Sequence, residues 1–273
     1  MVNINPSGNA EIDLVYKSTP QKELMLTFLP PINKVYKSAP VYFIIPGGGW
    51  HVEKKEDMIW FSRISANKLR EKGFAVVAID YRVCTDGIYM NEIITDCFDA
   101  ARYIARFADT LGIDKNSFFL SGHSAGGHLA LMLAYAPQNE FKGDYDDEFG
   151  VKVVVTLSPA TMIYDKSTHN LRNINDVYAE ENIENEMKRT CPDSYINKNC
   201  PPTLLCAGTS DYLVFANSSE RLYKILQENN VECELVLSVG GGHCFEQIHE
   251  TLIPSISAEE IQSKIIEFTE KYL

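Results

Sequence analysis

Phe118-Phe119-Leu120-Ser121-Gly122-His123-Ser124-Ala125-Gly126-Gly127-His128-Leu129-Ala130-Leu131 is the stretch on which the fold turns. Apolar residues run into Gly122-His123-Ser124-Ala125-Gly126, and a small-residue, helix-favouring segment runs out of it. A G-x-S-x-G alone is as easily a glycine-serine loop. Set between a strand and a helix, it has the context of a nucleophile elbow. A turn that tight forces its central serine into strained backbone angles, and Gly122 and Gly126 leave room for neighbouring main chain to approach. Ser124 is then lifted clear of the sheet edge, at a helix N-terminus whose free N–H groups favour developing negative charge.

Working outward, the chain alternates strands with helices. Residues 10–18 and 22–29 alternate moderately about Ser18-Thr19-Pro20 and predict an opening antiparallel hairpin. Val41-Tyr42-Phe43-Ile44-Ile45 is an uninterrupted apolar run, as expected of a strand buried on both faces, and it ends in Pro46-Gly47-Gly48-Gly49-Trp50. An amphipathic helix over 57–71 is closed by Gly73, and the apolar strand at 74–79 ends at Asp80-Tyr81-Arg82. After a loop with Asp86-Gly87, a helix over about 91–109 is stopped near Gly112. The elbow strand at 117–121 and elbow helix at 124–136 follow, then Pro137, the acidic loop 143–148 and a strand at 152–157. Residues 159–200 are polar, tyrosine-bearing and broken in pattern, and read as an excursion over the site. A strand at 203–207, a helix at 214–229, a strand at 233–239 and a final amphipathic helix at 257–272 close the chain. This order implies one α/β domain over 1–273: a mostly parallel central sheet of about eight strands, helices on both faces and a small cap around 159–200.

Composition sets the outer bounds. The 273 residues are 45% hydrophobic and 23% charged, enough for one large globular core. A net charge of -12 argues against nucleic acid, anionic membranes and polyanionic substrates as partners. No apolar run has the length of a bilayer-crossing helix. Met1-Val2-Asn3-Ile4-Asn5-Pro6 has neither a basic start nor an apolar core, so a cytoplasmic location is expected. The seven cysteines are odd in number and scattered, with no C-x-x-C and no zinc spacing, which points to reduced thiols and no metal. A bridge between Cys191 and Cys200 is the alternative in an oxidising compartment.

The serine needs a base, and the base an orienting carboxylate, in the order Ser, acid, His along such a chain. Downstream of Ser124 the histidines are His169, His243 and His249. His169 precedes the late strands, and His249 falls in what reads as a helical turn. His243 follows the last strand through Gly240-Gly241-Gly242, a loop able to carry an imidazole over the elbow, and is the expected base. Asp211, in the loop after the preceding strand, is the expected acid, although an aspartate there also suits a helix cap. Asp193 and Asp176 come too early. Negative charge at the attacked carbonyl needs preset N–H donors. Ala125, directly after the serine, is one, and Gly48 and Gly49 of the glycine loop are the others. Gly47 shapes that turn. Trp50 is a candidate substrate-binding wall, and a packing role suits it equally. His51 reads as an exposed loop residue, His123 and His128 as packing or hydrogen-bonding positions, and Asp80 and Asp96 as structural. Tyr164 and Tyr178 are placed near the entrance, and Cys244 is not expected to act as a nucleophile.

These residues carry a resemblance. Pro46-Gly47-Gly48-Gly49-Trp50, Asp80-Tyr81-Arg82, the elbow through Leu129, Cys200-Pro201-Pro202-Thr203 and Asp211 with His243 make the chain similar to α/β-hydrolases of the esterase/lipase group. That group includes hormone-sensitive-lipase-like carboxylesterases and acetyl-xylan/feruloyl esterase-like proteins, and the likeness covers roughly 40–245. Pro46 stands where the hormone-sensitive-lipase-like enzymes carry histidine, and Val83-Cys84-Thr85 replaces their Leu-Ala-Pro-Glu. Both departures favour the xylan-esterase-like branch. The resemblance implies hydrolysis of short acyl esters, acetyl esters of carbohydrates among them, through an acyl-enzyme, with no metal or organic cofactor. The substrate would be a small-molecule ester or acylated saccharide. An arylformamidase-like amide hydrolase resembles the same elbow. A ligand-binding protein on this fold without catalysis is a third reading, of which loss of Ser, Asp or His would be the sign. Acyl length, alcohol partner and oligomeric state are not encoded in these motifs.

Overall fold

Two buried strands that pair in parallel need a helix to connect them, and that requirement generates most of the molecule. The computed structural model describes residues 2–4, 10–52, 55, 62–85, 87–165, 167–170, 174–178 and 183–273. Its strands are β1 (Val2–Ile4), β2 (Ala10–Ser18), β3 (Glu23–Leu29), β4 (Ala39–Ile45), β5 (Ala75–Ile79), β6 (Ile113–His123), β7 (Val151–Leu157), β8 (Thr203–Gly208) and β9 (Cys233–Ser238). Its helices are α1 (Arg63–Glu71), α2 (Met90–Arg106), α3 (Ala108–Leu111), α4 (Ala125–Tyr135), α5 (Ile183–Arg189), α6 (Ala216–Glu228) and α7 (Ala258–Glu270).

The sheet order is β1-β2-β3-β5-β4-β6-β7-β8-β9. The hairpin β2–β3 is antiparallel, as its alternation implies, and β3 joins β5 antiparallel. From β5 through β4, β6, β7 and β8 to β9 every pairing is parallel. Among the described residues the sheet has nine strands where the pattern implies about eight, and three-residue β1 is too short to announce itself by alternation. The first helix is described from Arg63, and the 57–61 part of its expected span lies outside the described residues. The long helix after it splits at Phe107, and α3 ends at Gly112 with φ 67°. His249, expected in a helical turn, instead forms a β-bridge with Leu252 across a tight turn.

Alternation within each central strand feeds two cores. Val41, Phe43 and Ile45 of β4 point into one with α2 and α4; Tyr42 and Ile44 point into the other with α1 and α7. The register sets Phe43 beside Val77 and Leu120, and Ile45 beside Gly122, so the ends of β4 and β6 arrive together at one sheet edge. Helix α4 is buried almost throughout, consistent with its run of small and apolar residues. The excursion covers one end through two 3₁₀ turns (Ile174–Val177, Pro192–Tyr195) and α5. Arg189 pins it to the body by donating to Glu140 Oε1 at 2.5 Å, Glu140 O at 2.9 Å and Asn91 Oδ1 at 2.6 Å.

A buried charge cluster ties the antiparallel edge to α2. The Asp96 carboxylate accepts from Arg82 Nε at 2.7 Å, Arg82 Nη2 at 2.8 Å and the Arg82 main-chain N–H at 3.1 Å, and Lys17 Nζ lies 3.0 Å away. Lys17 also donates to Asp99 at 2.6 Å, and Asp99 receives the Asp144 N–H at 3.0 Å, anchoring the acidic loop. Removing one member of such a cluster strands buried charge, at about 3 kcal/mol or more. Asp96→Ala is therefore expected to lower the melting temperature by roughly 10 °C, read by calorimetry; a change under about 2 °C would show the cluster to be dispensable.

Candidate active site

Ser124 stands between β6 and α4 with φ 55° and ψ -120°. A serine held at positive φ is strained by on the order of 1–3 kcal/mol and persists only where its surroundings over-determine it. Here they do: the Ser124 N–H donates to Leu157 O at 2.8 Å, and its carbonyl accepts from His128 N at 3.1 Å. The flanking glycines are set by contact. A Cβ on Gly126 would lie 2.2 Å from Ile45 O, and one on Gly122 would lie 2.1 Å from Gly126 O. Both distances are to main chain that cannot yield.

The glycine loop leaves β4 beside the elbow. Gly48 has φ 128° and would place a Cβ 1.7 Å from Val52 O, and its carbonyl accepts from His51 N at 3.1 Å and Val52 N at 3.0 Å. Gly49 has φ 60° with open space around it. The loop is held from below, since the Tyr81 hydroxyl donates to Pro46 O at 2.8 Å and Cys84 N–H donates to Trp50 O at 2.7 Å. Ala125 opens α4, so its N–H belongs to the unsatisfied first turn.

Asp211 and His243 meet. His243 Nδ1 lies 2.7 Å from Asp211 Oδ2, while Asp211 Oδ1 accepts from Leu213 N at 2.8 Å and Val214 N at 3.0 Å. Asp211 does not cap α6, whose capping position is Phe215. A carboxylate is an acceptor only, so the His243 Nδ1–H donates to it and Nε2 is left on the far side of the ring. Gly208 permits this meeting: a Cβ there would fall 2.3 Å from both Gly241 O and Gly242 O.

Two neighbouring rings take the roles sequence allotted them. His128 is buried, donates from Nε2 to Thr190 O at 2.7 Å, and meets Trp50 edge-on at 5.4 Å between centroids. Trp50 is 1% exposed, so its indole is packed beneath the loop. The His123 Nε2–H donates to the main-chain carbonyl of His243 at 3.0 Å. The rest lie apart. His169 is buried, bonded to Ile163 O at 3.1 Å; Asp193 accepts from the Tyr164 hydroxyl; Asp176 is in the first 3₁₀ turn. Tyr178 is buried and Tyr164 exposed. His51 is half-buried, its Nδ1 2.7 Å from Gly49 O. All seven cysteines are free, and burial pushes the Cys244 thiol up to about 11, so at neutral pH it is protonated. Sequence reading did not pick out the Tyr81 hydroxyl under the glycine loop, nor Ser158, whose Oγ–H donates to the His243 carbonyl at 3.0 Å. The Asp80-Tyr81-Arg82 motif carried the first in plain view; Ser158 has no signal beyond ending a strand.

A strand–serine–helix elbow on this doubly covered parallel sheet defines an α/β-hydrolase-fold protein. The fold matches a thermophilic esterase of Thermogutta terrifontis, Est2 with propionate bound, at TM-score 0.74 and 21% identity over 96% of this chain and 93% of that one. It also matches a truncated carbohydrate esterase from gut microbiota at TM-score 0.75 and 19% identity, over 94% and 95% of the two chains. Residues 27–226 match the BD-FAE family, and the chain belongs to it. A probable isoprenylcysteine alpha-carbonyl methylesterase ICME of Oryza sativa subsp. japonica is 24% identical over 251 residues, covering 84% of this chain and 57% of that protein. The chain thus spans little more than half the length of that relative.

Two imidazoles, His128 buried and His123 half-buried, make a pH prediction. Burial pushes His123 and His128 down from 6.5 to about 4, with His243 adding to the effect on His123. Below pH 6.5 the unfolded chain binds protons that the folded chain refuses, so stability is lost as pH falls from 6.5 through 4. Each ring contributes on the order of 3 kcal/mol to that loss. Urea midpoints are expected to fall steeply over this range, and His128→Asn to make the fall shallower; an unchanged slope in that variant would contradict the assignment.

Proposed function

We propose that this protein is a serine carboxylesterase acting on short acyl esters of small neutral alcohols, acetyl esters of carbohydrates among them. The observation that carries the reading is the Asp211–His243 pair at 2.7 Å, joined through the His243 carbonyl to the ring of His123, the residue before the strained Ser124. His243 Nε2 takes the Ser124 proton as Oγ attacks the ester carbonyl, and Asp211 holds the ring and stabilises the imidazolium. The carbonyl oxygen becomes an oxyanion, stabilised by the N–H groups of Ala125, Gly48 and Gly49. Its collapse expels the alcohol, which takes the proton from His243, and leaves the acyl group on Ser124. Water, deprotonated by the same imidazole, then attacks the acyl carbon; the acyl–Oγ bond breaks to release the acid, and His243 returns the proton to Ser124.

Trp50, expected as a wall for the substrate, is instead buried against His128, so it takes the packing role and supports the glycine loop from within. Relatives support the reaction class: the rice relative is named a probable methylesterase, and Est2 has been captured phosphorylated by paraoxon. The substrate fits a net charge of -12, which disfavours anionic ligands.

Ser124→Ala is expected to lower kcat/KM for nitrophenyl acetate by roughly 10⁴-fold or more while leaving the melting temperature nearly unchanged. Retained turnover in that variant would sink the assignment. Across acetyl, butyryl, octanoyl and feruloyl esters, kcat/KM is expected to fall with acyl size. Faster turnover of formyl-kynurenine than of nitrophenyl acetate would instead point to an amide hydrolase.

A further inference from the structure

Two side chains outside the triad converge on one atom, the main-chain carbonyl oxygen of His243. The His123 Nε2–H donates to it at 3.0 Å, and Ser158 Oγ–H donates to it at 3.0 Å. A carbonyl oxygen has two lone pairs, so both bonds can be made in full. His243 itself lies in neither strand nor helix: the chain leaves β9 at Ser238 and enters α7 at Ala258. Its bond to Asp211 sets the rotation of the ring but not the place of the main chain that carries it. The carbonyl bonds set the second.

Both donors are chained to the serine. His123 is the residue before Ser124, and Ser158 follows Leu157, whose carbonyl receives the Ser124 N–H at 2.8 Å. The Ser158 N–H in turn donates to Cys206 O at 2.8 Å, in the strand that delivers Asp211. Ser158 is held at φ 45°, a conformation glycine adopts freely and serine does not. A strained residue whose hydroxyl reaches the base's own main chain is where positioning would be expected. The His123 ring lies 4.6 Å from the His243 ring, and a Cβ on Gly47 would sit 2.8 Å from His123 O, so the same residue also abuts the glycine loop.

We propose that His123 and Ser158 are positioning residues that, by donating together to the His243 carbonyl, hold its imidazole within reach of the Ser124 hydroxyl. This rests on the reading of Ser124, Asp211 and His243 as the catalytic triad. The opposing possibility is that the two bonds only satisfy a buried carbonyl, in which case losing them costs stability and not rate.

The full chain is assayed with nitrophenyl acetate, with melting temperatures alongside. Ser158→Gly removes the hydroxyl and relieves the strain at once. Positioning predicts an unchanged or raised melting temperature, a kcat lowered by about tenfold and a KM within about twofold. His123→Phe keeps a ring without the donor and is expected to lower kcat by roughly 10- to 100-fold. His123→Gln, which returns an N–H at similar reach, is expected to recover kcat to within about threefold of the parent. The double variant Ser158→Gly with His123→Phe should lose more than the product of the singles, since each single keeps one donor. If His123→Phe does not fold, Ser158→Gly decides alone. A Ser158→Gly protein with parental kcat overturns the proposal, as does a His123→Phe loss that glutamine does not recover. Ser124→Ala and His243→Ala run beside them: turnover in those would overturn the triad itself, whereas dead triad variants with a fully active Ser158→Gly would overturn the positioning alone.

Discussion

The backbone of Ser124 at φ 55° is the constraint from which the rest of the site follows. A side chain raised on such a turn cannot relax without moving β6 or α4, and neither can move. Gly126 has Ile45 O against it at a distance no Cβ tolerates, so the end of β4 is clamped onto the start of α4. That clamp brings the glycine loop beside the serine as a matter of register, because Ile45 pairs with Gly122. The strain at one residue is small against the two hydrophobic cores that flank the sheet, and those cores are why it can be sustained.

The second half of the site is assembled by contact between loops. Asp211 leaves β8 and His243 follows β9, two neighbouring parallel strands, so their exits lie side by side. A glycine at 208 lets the two exits touch, and the aspartate spends one oxygen on Leu213 and Val214 main chain before offering the other to the imidazole. The carboxylate is thus fixed independently of the imidazole it holds. Burial of the Asp211 side chain sharpens this geometry, since a bond to a charged carboxylate is stronger where water is excluded.

Much of this was legible in the sequence, and the division has physical causes. Buried parallel strands are runs of apolar residues with no polar face, so β4, β5, β7 and β8 stand out of the chain as text. The elbow is legible because steric demands at Gly122 and Gly126 admit one residue type. Asp211 and His243 were legible because strand order confines them to two loops. What was not legible depends on groups meeting across the fold: the Tyr81 hydroxyl on Pro46 O, Ser158 on the His243 carbonyl, and the burial of Trp50 against His128. His249 misleads for a related reason, as its turn is set by a bridge to Leu252 that no helical periodicity encodes. Strand β1 is too brief to carry a pattern at all.

The bond from His128 to Thr190 joins the buried helix behind the serine to the polar excursion above it. With Arg189 fastened one residue earlier, that end of the excursion is riveted to the rigid body of the protein. Whatever seats against this end of the excursion therefore meets a surface whose shape is set by the buried helix behind it as much as by the loop itself.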